Sequence, residues 1–168
     1  HGLVLPIDEA AKALTEFQGS ARRFEIIGTV NGVTCIDDYA HHPTEIRATL
    51  EAARGRFPQS RLWAVWQPHT FSRTETLLKD FEAVLTLADE IIVTEVYASR
   101  EKSDGFTAAQ IVADLDHAHK HYSPTLQDAE DHLFSHVQPG DVVLVLSAGD
   151  ANRICTALLQ RIKENQHE

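Results

Sequence analysis

The sequence predicts an α/β protein: a doubly wound, Rossmann-like, mostly parallel sheet with one antiparallel strand contributed by an N-terminal hairpin. Three observations carry this expectation. From Val33 onward, short apolar runs alternate with segments of helical period, the order that builds a parallel sheet with helices on both faces. The run Val142-Val143-Leu144-Val145-Leu146 is continuously apolar, as in a strand buried on both sides. Asn31-Gly32 separates two further apolar runs, and a type I′ turn needs φ > 0 at both central positions, which Asn and Gly tolerate best.

Taken in order, residues 7–17 place Ile7, Ala10, Ala11, Leu14 and Phe17 on one helical face, with Asp8 and Glu9 at the positive end and Gly19 closing it. Residues 24–30 and 33–36 are the hairpin strands. Pro43 opens the next helix, because its fixed φ and missing N–H suit the first helical position. Ile46, Leu50, Ala53 and Phe57 continue it, and Gly55 with Pro58 closes it. Residues 62–66 form a strand and 67–71 a loop at its carboxyl end. Ser72 with Glu75 reads as a capping box, opening a helix that buries Leu77, Leu78, Phe81, Val84 and Leu85. Residues 90–96 are the next strand and 97–105 a charged loop. Thr107 with Gln110 is a second capping box, ahead of Ile111 and Leu115. A short strand over 119–122, a helix over 126–137 and a Pro139-Gly140 turn lead to the apolar strand. Asp150 then caps a last helix carrying Ile154, Leu158 and Ile162. No internal repeat, linker or low-complexity segment interrupts the chain, so residues 1–168 read as a single domain.

Composition bounds the function. A chain of 168 residues supports one sizeable core, and 43% hydrophobic with 24% charged residues is ordinary for a soluble globular protein. The net charge of −10 argues against general binding to nucleic acid or anionic membranes, though not against a local basic pocket for phosphates. Cys35 and Cys155 lie in apolar patterns, give no disulfide framework and fit a reducing cytoplasm. No apolar run reaches the length of a membrane span, and no signal segment leads the chain. It opens on His1-Gly2 and contains no methionine, as expected of a piece of something longer.

Polar groups crowd four predicted strand-to-helix junctions: 37–44, 67–73, 97–101 and 147–152. In a parallel sheet these share one edge, where open α/β sheets bind ligands, and they can converge on a single groove. From the residues alone two readings stay open at each. Asp38 and His41 either terminate a strand and pack in a tight turn, or face a ligand. Arg73, in the first turn of a helix, is either a solvated charge opposed by the helix dipole or a cation with an anion to hold. Neither G-x-x-x-x-G-K-[ST] nor G-x-G-x-x-G occurs, so the chain has no phosphate cradle of its own. The ten histidines raise a metal reading, with His117, His119 and His121 alternating and His132 and His136 at i, i+4. No H-E-x-x-H or cysteine pair accompanies them, so surface histidines and no metal site are expected. Ser72, His69 and Asp80 make no triad, for want of a nucleophile elbow.

Asp37-Asp38-Tyr39-Ala40-His41-His42-Pro43-Thr44-Glu45 resembles the signature of the C-terminal domain of the Mur ligases, in the form carried by UDP-N-acetylmuramate–L-alanine ligases. Arg22-Arg23-Phe24-Glu25, Trp66-Gln67-Pro68-His69-Thr70-Phe71-Ser72-Arg73-Thr74 and Ala148-Gly149-Asp150 match the same family in the same order, so the resemblance covers nearly the whole chain. It implies one domain of a cytoplasmic, ATP-dependent, amide-forming ligase of peptidoglycan biosynthesis. Such a domain closes over ATP, helps bind the amino acid, and holds no catalytic residue that works alone. By the same resemblance Asp38 accepts hydrogen bonds from the ATP ribose, and His41 stands near the phosphates. Tyr39, His69 and Arg73 line the substrate pocket, with Arg73 on the carboxylate of L-alanine. Some family members carry Arg where this chain has Thr70, so a two-arginine clamp is not expected here. Mg²⁺ and the ATP phosphates belong mainly to a central domain and UDP-N-acetylmuramate to an N-terminal one, which makes both domains partners. Two alternatives stand beside this reading: the related ligase that attaches a tripeptide to the same sugar during wall recycling, and a free-standing nucleotide-binding module without catalysis. The loop 67–73 favours the alanine enzyme over the first.

Overall fold

A computed structural model describes residues 22–103 and 105–165, and the helix expected over residues 7–17 lies outside them. The chain order is β1 (Glu25–Val30), β2 (Val33–Asp38), α1 (Pro43–Arg56), β3 (Leu62–Trp66), α2 (Phe71–Thr76), α3 (Leu78–Leu85), β4 (Glu90–Thr94), α4 (Ala108–Asp114), β5 (Lys120–Ser123), α5 (Leu126–His136), β6 (Val142–Leu146) and α6 (Arg153–Glu164). The strands form one sheet in the order β1-β2-β6-β3-β4-β5. Only β1 runs antiparallel to its neighbour. The hairpin between β1 and β2 turns on Asn31 (φ 50°) and Gly32 (φ 76°), the two left-handed residues a type I′ turn requires.

The alternation of side chains along a strand builds two cores. Val142, Leu144 and Leu146 of β6 point to the face covered by α1, α3 and α4, where Ile46, Leu50, Phe81, Leu85 and Ile111 are buried. Val143 and Val145 point to the opposite face, against Ile154, Cys155 and Leu158 of α6 and Leu133 of α5. Each such aliphatic side chain contributes roughly 1.5–3 kcal/mol by leaving water. A strand apolar on both faces and helices apolar on one therefore produce the doubly wound arrangement. Among the described residues no helix is long and apolar enough to cross a membrane.

Local expectations meet mixed outcomes. Pro43 opens α1, Thr107 N–H donates to Gln110 Oε1 at 3.1 Å, and Thr125 with Asp128 adds a capping box ahead of α5. Gly55 lies inside α1, which ends when Phe57 N–H reaches Ala53 O at 2.8 Å. The capping box of Ser72 and Glu75 does not form. Ser72 is already inside α2, its N-cap is Thr70, and its hydroxyl is taken by Glu101. The helix expected after it is broken at Leu77 into α2 and α3, with Leu77 and Leu78 only half-buried. Asp150 does not cap α6. Asn152 occupies that position, while Asp150 accepts from Gln67 and pairs with Arg153 at 3.2 Å.

Candidate functional site

The sheet order places the carboxyl ends of β2, β6, β3 and β4 side by side, and the chain crosses from β2 over β6 to reach β3. The four polar junctions therefore meet along one edge, at the switch in strand order where doubly wound sheets bind ligands.

Arg22 straps the ends of β2 and β6. Its Nε donates to Asp37 Oδ2 at 2.9 Å and its Nη2 to Ser147 O at 2.7 Å, while the guanidinium stands 5.1 Å from the Tyr39 ring centroid. Burial still raises the Asp37 pKa, outweighing the neighbouring guanidinium. Asp38 is 7% exposed, and its two oxygens accept the backbone amides of Phe24 (2.7 Å) and Ala40 (2.8 Å). It thus shapes the turn after β2, with lone pairs left over for a ligand. His42 is the N-cap of α1, accepting from Thr44 N at 3.3 Å, which makes it a structural histidine. His41 Nδ1 lies 2.9 Å from Tyr39 O. A carbonyl only accepts, which assigns the proton to Nδ1 and leaves Nε2 free at the edge.

Four rings run along this edge. Centroids of Tyr39 and His41 are 5.3 Å apart, those of His41 and His69 5.9 Å, and His69 stacks on Tyr97 at 5.6 Å with 21° between planes. Tyr39 and Tyr97 are the exposed ends of the row. Beneath it, buried Gln67 accepts from Ser147 Oγ (2.6 Å) and Ala151 N (3.2 Å) and donates to Asp150 Oδ1 (2.9 Å). A Cβ on Gly149 would come within 2.5 Å of Gln67 Oε1 and 2.7 Å of Tyr97 Cγ, so only glycine fits there.

His69 and Arg73 stand differently from their neighbours. His69 Nδ1 and Arg73 Nη1 are both buried and have no hydrogen-bond partner among the described residues. Burial, then the Arg73 charge and His41, push the His69 pKa below the ordinary imidazole value. His69 is therefore neutral at neutral pH and sits near the Arg73 guanidinium, whose Nη1 lacks an acceptor among the described residues. A ligand carboxylate supplies acceptors for both nitrogens, and a guanidinium is the side chain best matched to it.

The structure thus brings Asp38, Tyr39, His41, His69 and Arg73 to one edge. Sequence reasoning gave no role to Gln67, Ser147, Tyr97 or Glu101. Their signal was position: Gln67 and Ser147 directly follow strands, and Tyr97 and Glu101 bound the polar junction after β4. An open cleft of about 420 Å³ between Arg61, Trp63, His121, His132 and His136 lies at the other end of the sheet. Among the described residues no three His, Cys, Asp or Glu side chains come together to hold a metal ion.

Residues 22–149 match the family model described as Mur ligase, glutamate ligase domain. The chain is 45% identical over 161 residues to a UDP-N-acetylmuramate–L-alanine ligase of Alkaliphilus metalliredigens, covering 93% of this chain and 35% of that protein. It is 46% identical to the enzyme of the same description from Thermosynechococcus vestitus, covering 94% and 35%. Among solved structures, the UDP-N-acetylmuramate–alanine ligase of Thermotoga maritima superposes with a TM-score of 0.74 at 30% identity, covering 92% of this chain and 33% of that one. A murein peptide ligase of Psychrobacter arcticus gives 0.70 at 28% identity, covering 91% and 32%. The chain spans about a third of the length of these relatives. With the motif blocks, the sheet and the family match in agreement, the chain belongs to the Mur ligase family, as its glutamate ligase domain.

Proposed function

We propose that this chain is one domain, the C-terminal one, of an ATP-dependent ligase that joins L-alanine to UDP-N-acetylmuramate in peptidoglycan biosynthesis. The observation that carries the reading is the pair of buried, unpartnered nitrogens on His69 and Arg73, poised for a small carboxylate at the strand-end groove. In this reading ATP phosphorylates the lactyl carboxylate of the sugar nucleotide. The amine of L-alanine attacks the acyl phosphate, and the tetrahedral intermediate expels phosphate to leave the amide. Arg73 and His69 hold the amino-acid carboxylate so that the amine faces the acyl carbon. Tyr39 lines the same pocket. Asp38 offers its remaining lone pairs to the ribose, and His41 offers Nε2 toward the phosphates. The domain's contribution is orientation and exclusion of water.

We assign Mg²⁺, whose role is to neutralise phosphate charge, mainly to the central domain, as the family resemblance implies. UDP-N-acetylmuramate binds mainly to the N-terminal one. The relatives' greater length, of which this chain spans about a third, supports further domains as partners. The buried free thiols of Cys35 and Cys155 support a cytoplasmic location.

The test is ADP release by the full-length protein with UDP-N-acetylmuramate, ATP, Mg²⁺ and L-alanine, beside the isolated 168-residue chain. The full-length protein should turn over and the isolated chain should stay at the buffer blank. Turnover by the isolated chain defeats the partial-domain reading. Turnover with an L-alanyl tripeptide in place of L-alanine assigns the recycling ligase instead.

A further inference from the structure

We infer that Glu101 and Tyr97, on the loop after β4, are positioning residues for Arg73 and His69. The inference rests on the reading of that pair as the amino-acid carboxylate subsite.

Arg73 lies on a helix of only six residues, with Thr70 as an N-cap that makes no side-chain cap bond and sits at φ 66°. A helix this short does not hold its own geometry, and its first amides need outside partners. Those partners come from across the groove. Glu101 accepts Ser72 N at 3.0 Å on one oxygen and Ser72 Oγ at 2.6 Å on the other. Tyr97 completes the join: its N–H donates to Pro68 O at 2.8 Å, its carbonyl accepts Thr70 N at 3.0 Å, and its ring stacks on His69. Five contacts from one loop thus fix the segment that carries both unpaired nitrogens. Glu101 hydrogen-bonds Ser72 through both oxygens, and Arg73 Nη1 stays without a hydrogen-bond partner among the described residues.

Two effects of removing Glu101 have opposite signs. As an anion near Arg73 it weakens the pull on a ligand carboxylate, so its loss by electrostatics alone lowers the KM for L-alanine. As the cap of α2 it fixes Arg73, so its loss by misplacement raises that KM. Positioning predicts that misplacement wins, since small displacements of an orienting group cost heavily.

The experiment uses the full-length protein. Glu101→Ala should raise the KM for L-alanine roughly tenfold, with kcat within about threefold and the constants for ATP and UDP-N-acetylmuramate little changed. Glu101→Gln should recover most of the loss, because a carboxamide oxygen still accepts from Ser72. Tyr97→Phe should resemble wild type, while Tyr97→Leu, which removes the stacked ring, should raise the same KM several-fold. Glu75→Gln removes a charge from the same helix and should change nothing. A lowered KM in Glu101→Ala, equal losses in Glu101→Ala and Glu101→Gln, or a rise shared by all three substrates together with a fallen Tm overturns the inference. A wild-type enzyme without activity on L-alanine overturns the functional reading beneath it; an active wild type with an unmoved Glu101→Ala overturns the inference alone.

Discussion

The two ends of the sheet are built from similar residues and handled in opposite ways. At the amino end, Asp141 accepts from Arg61 Nη2 (2.6 Å), Trp63 Nε1 (3.0 Å) and Gln138 N (2.9 Å), and Arg61 also reaches Glu90 at 3.4 Å and the carbonyl of His136 at 2.9 Å. The paired carboxylate holds the Arg61 pKa above its usual value. At the carboxyl end, the buried side-chain atoms left without a partner among the described residues are Asp37 Oδ1, His69 Nδ1, Arg73 Nη1 and, at the tip of β5, Ser123 Oγ. The left-handed non-glycine residues Arg22, Phe24, Thr70 and Ser99 lie at this end too, whereas Asn31 sits in the hairpin at the other. Strained backbone costs roughly 1–3 kcal/mol per residue, and an unpaired buried polar group a similar amount. Such costs persist where a ligand answers them. One end is closed by its own hydrogen bonds, and the other leaves the buried polar atoms that the proposed binding role would use.

The largest expected effect breaks the incomplete end. Arg73→Ala should raise the KM for L-alanine by thirtyfold or more in the full-length protein, from loss of about 2–5 kcal/mol at a desolvated charge pair. Arg73→Lys should recover part, since an ammonium lacks the planar fork. The melting temperature should hold or rise, because the substitution removes a buried nitrogen, Nη1, that has no hydrogen-bond partner among the described residues. A Tm that falls along with affinity for every substrate would move Arg73 to the supporting end of the comparison.

The opposite change breaks the completed end. Asp141→Ala strands the Trp63 indole and the Gln138 amide and leaves Arg61 only Glu90 and the His136 carbonyl, and it should destabilise the chain by about 2–4 kcal/mol in urea unfolding. Activity per folded full-length molecule should stay near wild type. A KM shift for L-alanine without loss of stability would show that the two ends are coupled.

How much of this was legible in sequence depends on distance along the chain. The hairpin, the proline-opened helix and the continuous apolar run of β6 are local chemistry, and they fold as they read. The residues Asp38, Tyr39, His41, His69 and Arg73 reach one edge because each follows a strand. Long-range competition was not legible. Ser72 and Glu75 have capping-box spacing, but Glu101, 29 residues on, holds Ser72 by two bonds. Asp150 reads as a cap until Gln67, 83 residues earlier, engages it. Nor does the motif say that Asp38 spends both oxygens on the amides of Phe24 and Ala40.

The smallest effect sharpens the comparison through pH. His121, His132 and His136 stack at the amino end with centroids 3.9 and 4.2 Å apart, and Trp63 meets His132 edge-on at 6.1 Å. Burial first, then the His121 and His136 charges, push the His132 pKa down to about 4. The unfolded chain therefore binds a proton, with a pKa near 6.5, that the folded chain refuses. Stability is full above the unfolded value and falls as pH drops from 6.5 toward 4. The loss should reach about 1–3 kcal/mol after solvent screening is allowed for. His69 at the carboxyl end shifts in the same direction, so its share remains when the amino-end stack is altered. His132→Phe keeps a ring in the stack without a proton site. Urea midpoints at pH 7 and pH 5 should differ clearly in the wild-type chain and less in His132→Phe. His69→Asn should remove the remaining share and, unlike His132→Phe, should also weaken L-alanine use by the full-length protein. Equal pH dependence in wild type and His132→Phe would mean that the stacked imidazoles accept protons freely, and that the amino end is less tightly closed than its hydrogen bonds imply.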